Sequence, residues 1–154
     1  MKNQIKTKTR LAFIQFIFSS FFFDKSPEDE IANFQNYFYK LAVSSIGQQE
    51  EDIINFSKNF LDKLSLSYVE LLKNNNVNNI INESITFDRK YENWDSINKA
   101  IILSILSELR ITRKEKYKIL LYDYFEIFKL LINKKELGII NAIIDKLLNE
   151  KKIY

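Results

Sequence analysis

Lys2, Lys6, Lys8 and Arg10 stand within the first ten residues, and no carboxylate stands among them. Cations spaced this closely without compensating acids suit phosphate, lysine as a point charge and arginine as a planar fork that can hold two oxygens at once. Phosphate contacts supply most of the salt-dependent affinity for a nucleic-acid strand, and aromatic rings beside such an arm can stack on unpaired bases. Gln15 and Phe18 follow at helical spacing. Gln15 interrupts an apolar run, so it is either a core amide with satisfied hydrogen bonds or a polar group turned toward a ligand; Phe18 is either core or stacking face. Lys118, just after Tyr117, lies where a helix starts. Its charge gains nothing from the dipole there, which leaves a phosphate contact, a partner contact or plain solvation. Solvation alone would also account for Lys6, Lys8 and Arg10.

The residue types present leave little room for catalysis. The chain has no Cys and no His, which excludes a thiolate nucleophile, a Ser-His-Asp triad, an imidazole shuttle and a structural zinc site. Asp123 with Glu126, and Asp145 with Glu150, stand at ordinary helix-surface spacing rather than as an acid and base facing one substrate. The expectation is a binding protein, not an enzyme, with no cofactor and no metal. An absence of disulfides fits a reducing, cytoplasmic compartment.

Helices must position these residues. The 154 residues include only Pro27, Gly47 and Gly138 as strong turn formers, too few for the tight turns of a sandwich, barrel or doubly wound sheet. An all-α fold is expected, with one domain for this length. The apolar run 11–23 predicts a first helix buried on nearly every side; it is too short to span a bilayer, and bulky Phe21 to Phe23 leave no small-x-small signal cleavage site. Ser26-Pro27 followed by three acids predicts a cap and a second helix over about 27–45. Apolar residues three and four apart from Glu50 to about Asn74 predict a long amphipathic third helix. The Asn-rich stretch 74–93 reads as a linker between an N-terminal half (about 1–74) and a C-terminal half (about 94–152), with at most a short helix inside it. Residues 97–109 predict a nearly fully buried fourth helix. A fifth is expected from a capping box of Thr112 with Glu115 to about Ile132, and a sixth from a second box of Asn133 with Glu136. The first, fourth and fifth helices should be the most buried.

These residues resemble the bacterial transcription antitermination factor NusB family. That family's basic start followed by Arg-x-x-Ala-x-Gln-x-Leu-Tyr is similar to the stretch from Lys6 to Phe18. Its Lys-Ala-Ile-Leu-x-x-Ala-x-x-Glu-Leu is similar to Lys99 to Leu109, its Tyr-Lys-x-x-Ile-Asn-Glu-Ala to Tyr117 to Tyr124, and its Val-Asn-Gly-x-Leu-Asp-Lys to Ile140 to Lys146. The resemblance implies two packed three-helix halves forming one NusB-like domain. It also implies a non-enzymatic role in bacterial transcription: with a NusE-type ribosomal protein, recognition of boxA-like RNA in nascent ribosomal transcripts, acting indirectly on the RNA polymerase elongation complex, with no membrane involved. Lys6, Lys8, Arg10, Gln15, Phe18 and Lys118 would carry the RNA contacts. The chain departs from the pattern at Gly138-Ile139, where the family has a Lys-Phe pair on its RNA surface. That departure leaves open an alternative, a helical protein-binding adaptor of NusB fold with reduced or lost RNA binding.

Overall fold

A computed structural model of the chain describes residues 3–22, 56–74, 76–85 and 90–150. The described residues form α1 (Asn3–Ser20), α2 (Lys58–Asn74), α3 (Val77–Glu83), α4 (Ser96–Leu109), α5 (Tyr117–Phe128) and α6 (Lys134–Asn149). Two 3-10 turns, Tyr91–Asn93 and Lys114–Lys116, precede α4 and α5, and no strand occurs among the described residues. The fold is all-α. The helix expected over 27–45, its Ser26-Pro27 cap and the start of the third expected helix lie outside the described residues.

The centre of the packing is α4, where Ala100 to Leu109 are buried without a break. A helix buried on all sides can be accommodated only where neighbours cover every face. α1 and α2 lie against it and against each other, and α5 and α6 close the remaining sides. Phe13 and Phe16 of α1 meet Tyr68 of α2 edge to face, with ring centres 6.2 and 6.1 Å apart. Small serines let α2 and α4 approach closely: the Ser67 hydroxyl donates to the Ser107 carbonyl at 2.6 Å, and Arg110 Nη1 donates to the Ser67 carbonyl at 2.7 Å.

Several boundaries differ from the sequence expectation, each for a visible reason. α1 extends back to Asn3, so Lys6, Lys8 and Arg10 stand within its first turns. Thr112 does not cap α5. Its hydroxyl donates back to the Glu108 carbonyl at 2.6 Å, an i to i−4 bond that closes α4 instead, and α5 starts at Tyr117 after a 3-10 turn. The cap at Asn133 does form, accepting from the Glu136 N–H at 2.9 Å. α5 is also less buried than its apolar composition suggests. Leu120, Tyr124, Ile127 and Phe128 pack inward on one stripe, while Ile119 and Tyr122 remain exposed. The Asn-rich stretch has a structural use: Asn76 caps α3 by accepting from Asn79, and the Asn82 amide accepts from the Tyr91 N–H at 2.8 Å while donating to the Glu92 carboxylate at 3.0 Å.

Phe16 is 1% exposed and Ile102 fully buried. Phe16→Asp or Ile102→Asp should therefore abolish cooperative unfolding and near-ultraviolet circular dichroism, because an unpaired buried carboxylate costs several kcal/mol against a total stability of about 5–15 kcal/mol.

Candidate nucleic-acid interface

The basic residues of α1 do not share one surface. Lys6 and Arg10 are one turn apart and face α2, α4 and α5, whereas Lys8, two residues from each, points nearly the opposite way. Lys8, Leu11 and Gln15 form an exposed stripe, which half-buried Phe18 and exposed Phe22 extend, their rings edge to face at 5.3 Å.

Arg10 is only 5% exposed, and its guanidinium is committed inward. Nε and Nη2 donate to the two oxygens of Glu108 at 3.0 and 2.8 Å, and Nη1 lies 3.5 Å from Asp123 Oδ2. The guanidinium carbon also sits 5.1 Å from the centre of the Tyr124 ring and 5.9 Å from that of Phe60, within range of cation–π attraction. Burial by itself would lower the Arg10 pKa, but the hydrogen bond and charge of Glu108 outweigh it and raise the value. The expectation that Arg10 is a solvated phosphate fork is thus corrected: a buried arginine needs a carboxylate, and Glu108 occupies the fork. Beside it, buried Thr9 donates to the Ile5 carbonyl at 2.7 Å and accepts from the Ser57 N–H at 2.9 Å, which ties α1 to the start of α2.

Above this ion pair opens a groove of about 580 Å³, lined by Lys6 and Arg10 of α1, Phe60 and Lys63 of α2, Glu108 of α4, residues Ile111 to Arg113, Lys116, and Ile119, Leu120 and Asp123 of α5. Five cations thus face two carboxylates. Because Glu108 and Arg10 neutralise each other, the groove presents Lys6, Lys63, Arg113 and Lys116 as its available positive charge, beside a single partly exposed carboxylate, Asp123. The loop that carries Arg113 and Lys116 winds tightly over the end of α4 through Ile111 N–H to Glu108 O at 3.1 Å and Lys116 N–H to Arg113 O at 2.9 Å.

Of the residues singled out in the sequence, Lys6 and Arg10 meet in this groove. Lys8 and Gln15 share the exposed stripe of α1 with Phe18, and Lys118 is exposed in the first turn of α5 and does not line the groove. Sequence reasoning missed Phe60, Lys63, Arg113, Lys116 and Asp123 as lining residues. The pairs Phe60 with Lys63, and Arg113 with Lys116, have the three-residue spacing that places side chains on one face, but nothing local says that those faces meet. No cluster of metal-ligating side chains occurs among the described residues, and no helix there is long and apolar enough to cross a membrane.

The groove thus sets cations around an apolar wall of Phe60, Ile111 and Ile119, the combination of charge and flat apolar surface that suits a nucleic-acid strand. The chain is similar along nearly its whole length to transcription antitermination protein NusB: 24% identical to that of Rickettsia massiliae over 96% of this chain and 95% of the relative. NusB of Rickettsia felis is 25% identical over 96% of this chain and 95% of its own length, and that of Rickettsia typhi is 25% identical over 73% and 77%. The chain matches no protein-family profile and no solved structure.

Two outcomes test the ion pair and its surroundings. Arg10→Ala should cost about 3–5 kcal/mol in urea unfolding, because it leaves Glu108 buried alone, and Glu108→Ala less, because Asp123 still lies 3.5 Å from Arg10 Nη1, whereas replacing both by apolar residues of similar volume should recover most of the loss. The Tyr124 phenol, fully buried, has its pKa raised well above the ordinary 10, first by burial and then by the Glu108 charge. Above about pH 10 the unfolded chain releases that proton and the folded protein keeps it, so stability falls as pH rises. Melting temperatures measured across that range should fall for the parent and fall less steeply for Tyr124→Phe.

Proposed function

We propose that this protein is an RNA-binding transcription antitermination factor which, together with a NusE-type ribosomal protein, recognises boxA-like elements in nascent ribosomal RNA and promotes read-through by RNA polymerase. The basic groove between α1, α2 and α5 carries this reading, supported by the similarity to NusB proteins over almost the whole chain. Lys6, Lys63, Arg113 and Lys116 hold phosphates at the groove. Lys118, exposed on the first turn of α5, adds charge near the groove, and Lys8, Gln15 and Phe18 meet RNA that passes over the exposed stripe of α1.

The role is binding rather than catalysis, and it is shared. Four phosphate contacts would give a salt dependence of only about −3 in log K per log salt, so affinity at physiological salt is weak until a partner adds surface. The exposed Tyr122 of α5 is suitable material for a protein contact.

Gly138 favours the second reading, a protein-binding adaptor that has lost RNA contact. It lies within α6, and a Cβ added there would meet nothing within 4 Å, so packing does not require glycine. The position where the resemblance would place a lysine is therefore simply bare surface.

Fluorescence anisotropy of labelled boxA-like RNA, with and without the NusE-type protein, separates the two readings. The RNA factor binds more tightly with the partner, and Lys6→Ala combined with Lys116→Ala reduces the magnitude of the salt slope by about 1.4 with little change in melting temperature, since exposed charges contribute little to folding. If the double variant binds RNA like the parent, the groove is not the interface; if the parent binds no RNA with or without the partner, the adaptor reading takes precedence.

A further inference from the structure

We propose that the groove accepts a guanine base, its Watson–Crick edge against the Asp123 carboxylate, while the surrounding lysines and arginine hold the flanking phosphates. The inference rests on the RNA-binding reading above and adds to it the base that the protein selects.

The groove sorts a nucleotide by polarity. Both Glu108 oxygens are occupied by the Arg10 fork, at 2.8 and 3.0 Å. Asp123 is different. Its side chain is 37% exposed, it lines the groove, and its contact with Arg10 Nη1 is a long 3.5 Å, so its oxygens retain lone pairs for a ligand. A phosphate placed there would meet like charge, whereas the same phosphate beside Lys6, Lys63, Arg113 or Lys116 is stabilised. The backbone therefore stays with the cations, and the base points toward Asp123. Phe60, Ile111 and Ile119 supply apolar walls suited to base faces, and about 580 Å³ lies within the range of small-ligand pockets.

Hydrogen-bond complementarity then selects the base. A carboxylate offers two acceptors side by side. Guanine alone presents two adjacent donors on one edge, N1–H and the N2 amine. Cytosine and adenine place a ring-nitrogen acceptor next to their amine, and uracil flanks its N3–H with two carbonyls, so each would set an acceptor against a carboxylate oxygen.

The test uses the full chain and short oligouridine strands carrying one guanosine, inosine or adenosine at the same position, read by competition anisotropy at fixed salt. Inosine lacks the N2 amine and is otherwise guanosine. The expected result is about tenfold tighter binding of the guanosine strand than of either other strand, in keeping with a bidentate base contact. Asp123→Asn, which puts a donor where an acceptor stood, is expected to erase the preference for guanosine over inosine. Equal binding of guanosine and inosine strands by the parent overturns the inference while leaving RNA binding intact. So does a preference that survives in Asp123→Asn. If none of the strands binds even at low salt, the RNA-binding reading fails and this inference falls with it. The comparison among strands on the parent protein decides the matter even if the variant does not fold.

Discussion

The buried pair of Arg10 and Glu108 constrains the rest of the structure. It joins residues 98 positions apart, one on α1 and one on α4, with both side chains almost wholly shielded from water. Such a pair adds little net stability, since desolvation offsets much of the attraction, but it tolerates few alternatives because either charge left alone is costly. The bidentate fork sets the rotation of α1 about its own axis: Arg10 must face Glu108, so Lys6, one turn earlier, must face the same side, and Lys8 must face away. Thr9 completes the arrangement by holding the Ser57 N–H, so the start of α2 is placed relative to the same turn of α1.

Charge in this protein thus divides into two kinds that a net total conceals. The formal charge of the whole chain is +3, a weak bias that says little about partners. Locally, one arginine is neutralised inside and four cations gather around a single opening. Field focusing in a concave, partly apolar site makes those charges more effective than the same number spread over a convex surface. Tyr124 and Phe60 flank the guanidinium and exclude water from the ion pair at the base of the groove.

Much of the fold was legible in the sequence because helical periodicity is a local signal. The predominantly apolar stretch 97–109 predicts a central helix, and α4 is that helix; Asn133 with Glu136 predicts a cap, and it forms. What misled were residues whose role depends on a distant neighbour. Thr112 with Glu115 has capping-box spacing, yet the hydroxyl finds the Glu108 carbonyl first. The apolar composition of α5 places it among the most buried helices, but only the neighbours decide which stripe is covered, and Ile119 and Tyr122 are left outside. The groove was the least legible part. Lys6 was recognisable as a candidate phosphate contact, but Lys63, Arg113 and Asp123 join it only through packing, and Arg10 reads as a solvated cation until Glu108, on another helix, is seen to claim it.

The groove is built from segments far apart in the chain: Arg10 and Asp123, whose side chains meet at its base, are separated by 113 residues. During synthesis the N-terminal lysines emerge long before α5 exists, so a partly made chain displays positive charge without any pocket to confer selectivity. The groove is therefore complete only when the last helices dock, and until then the cations of α1 and α2 stand without the wall that α5 supplies.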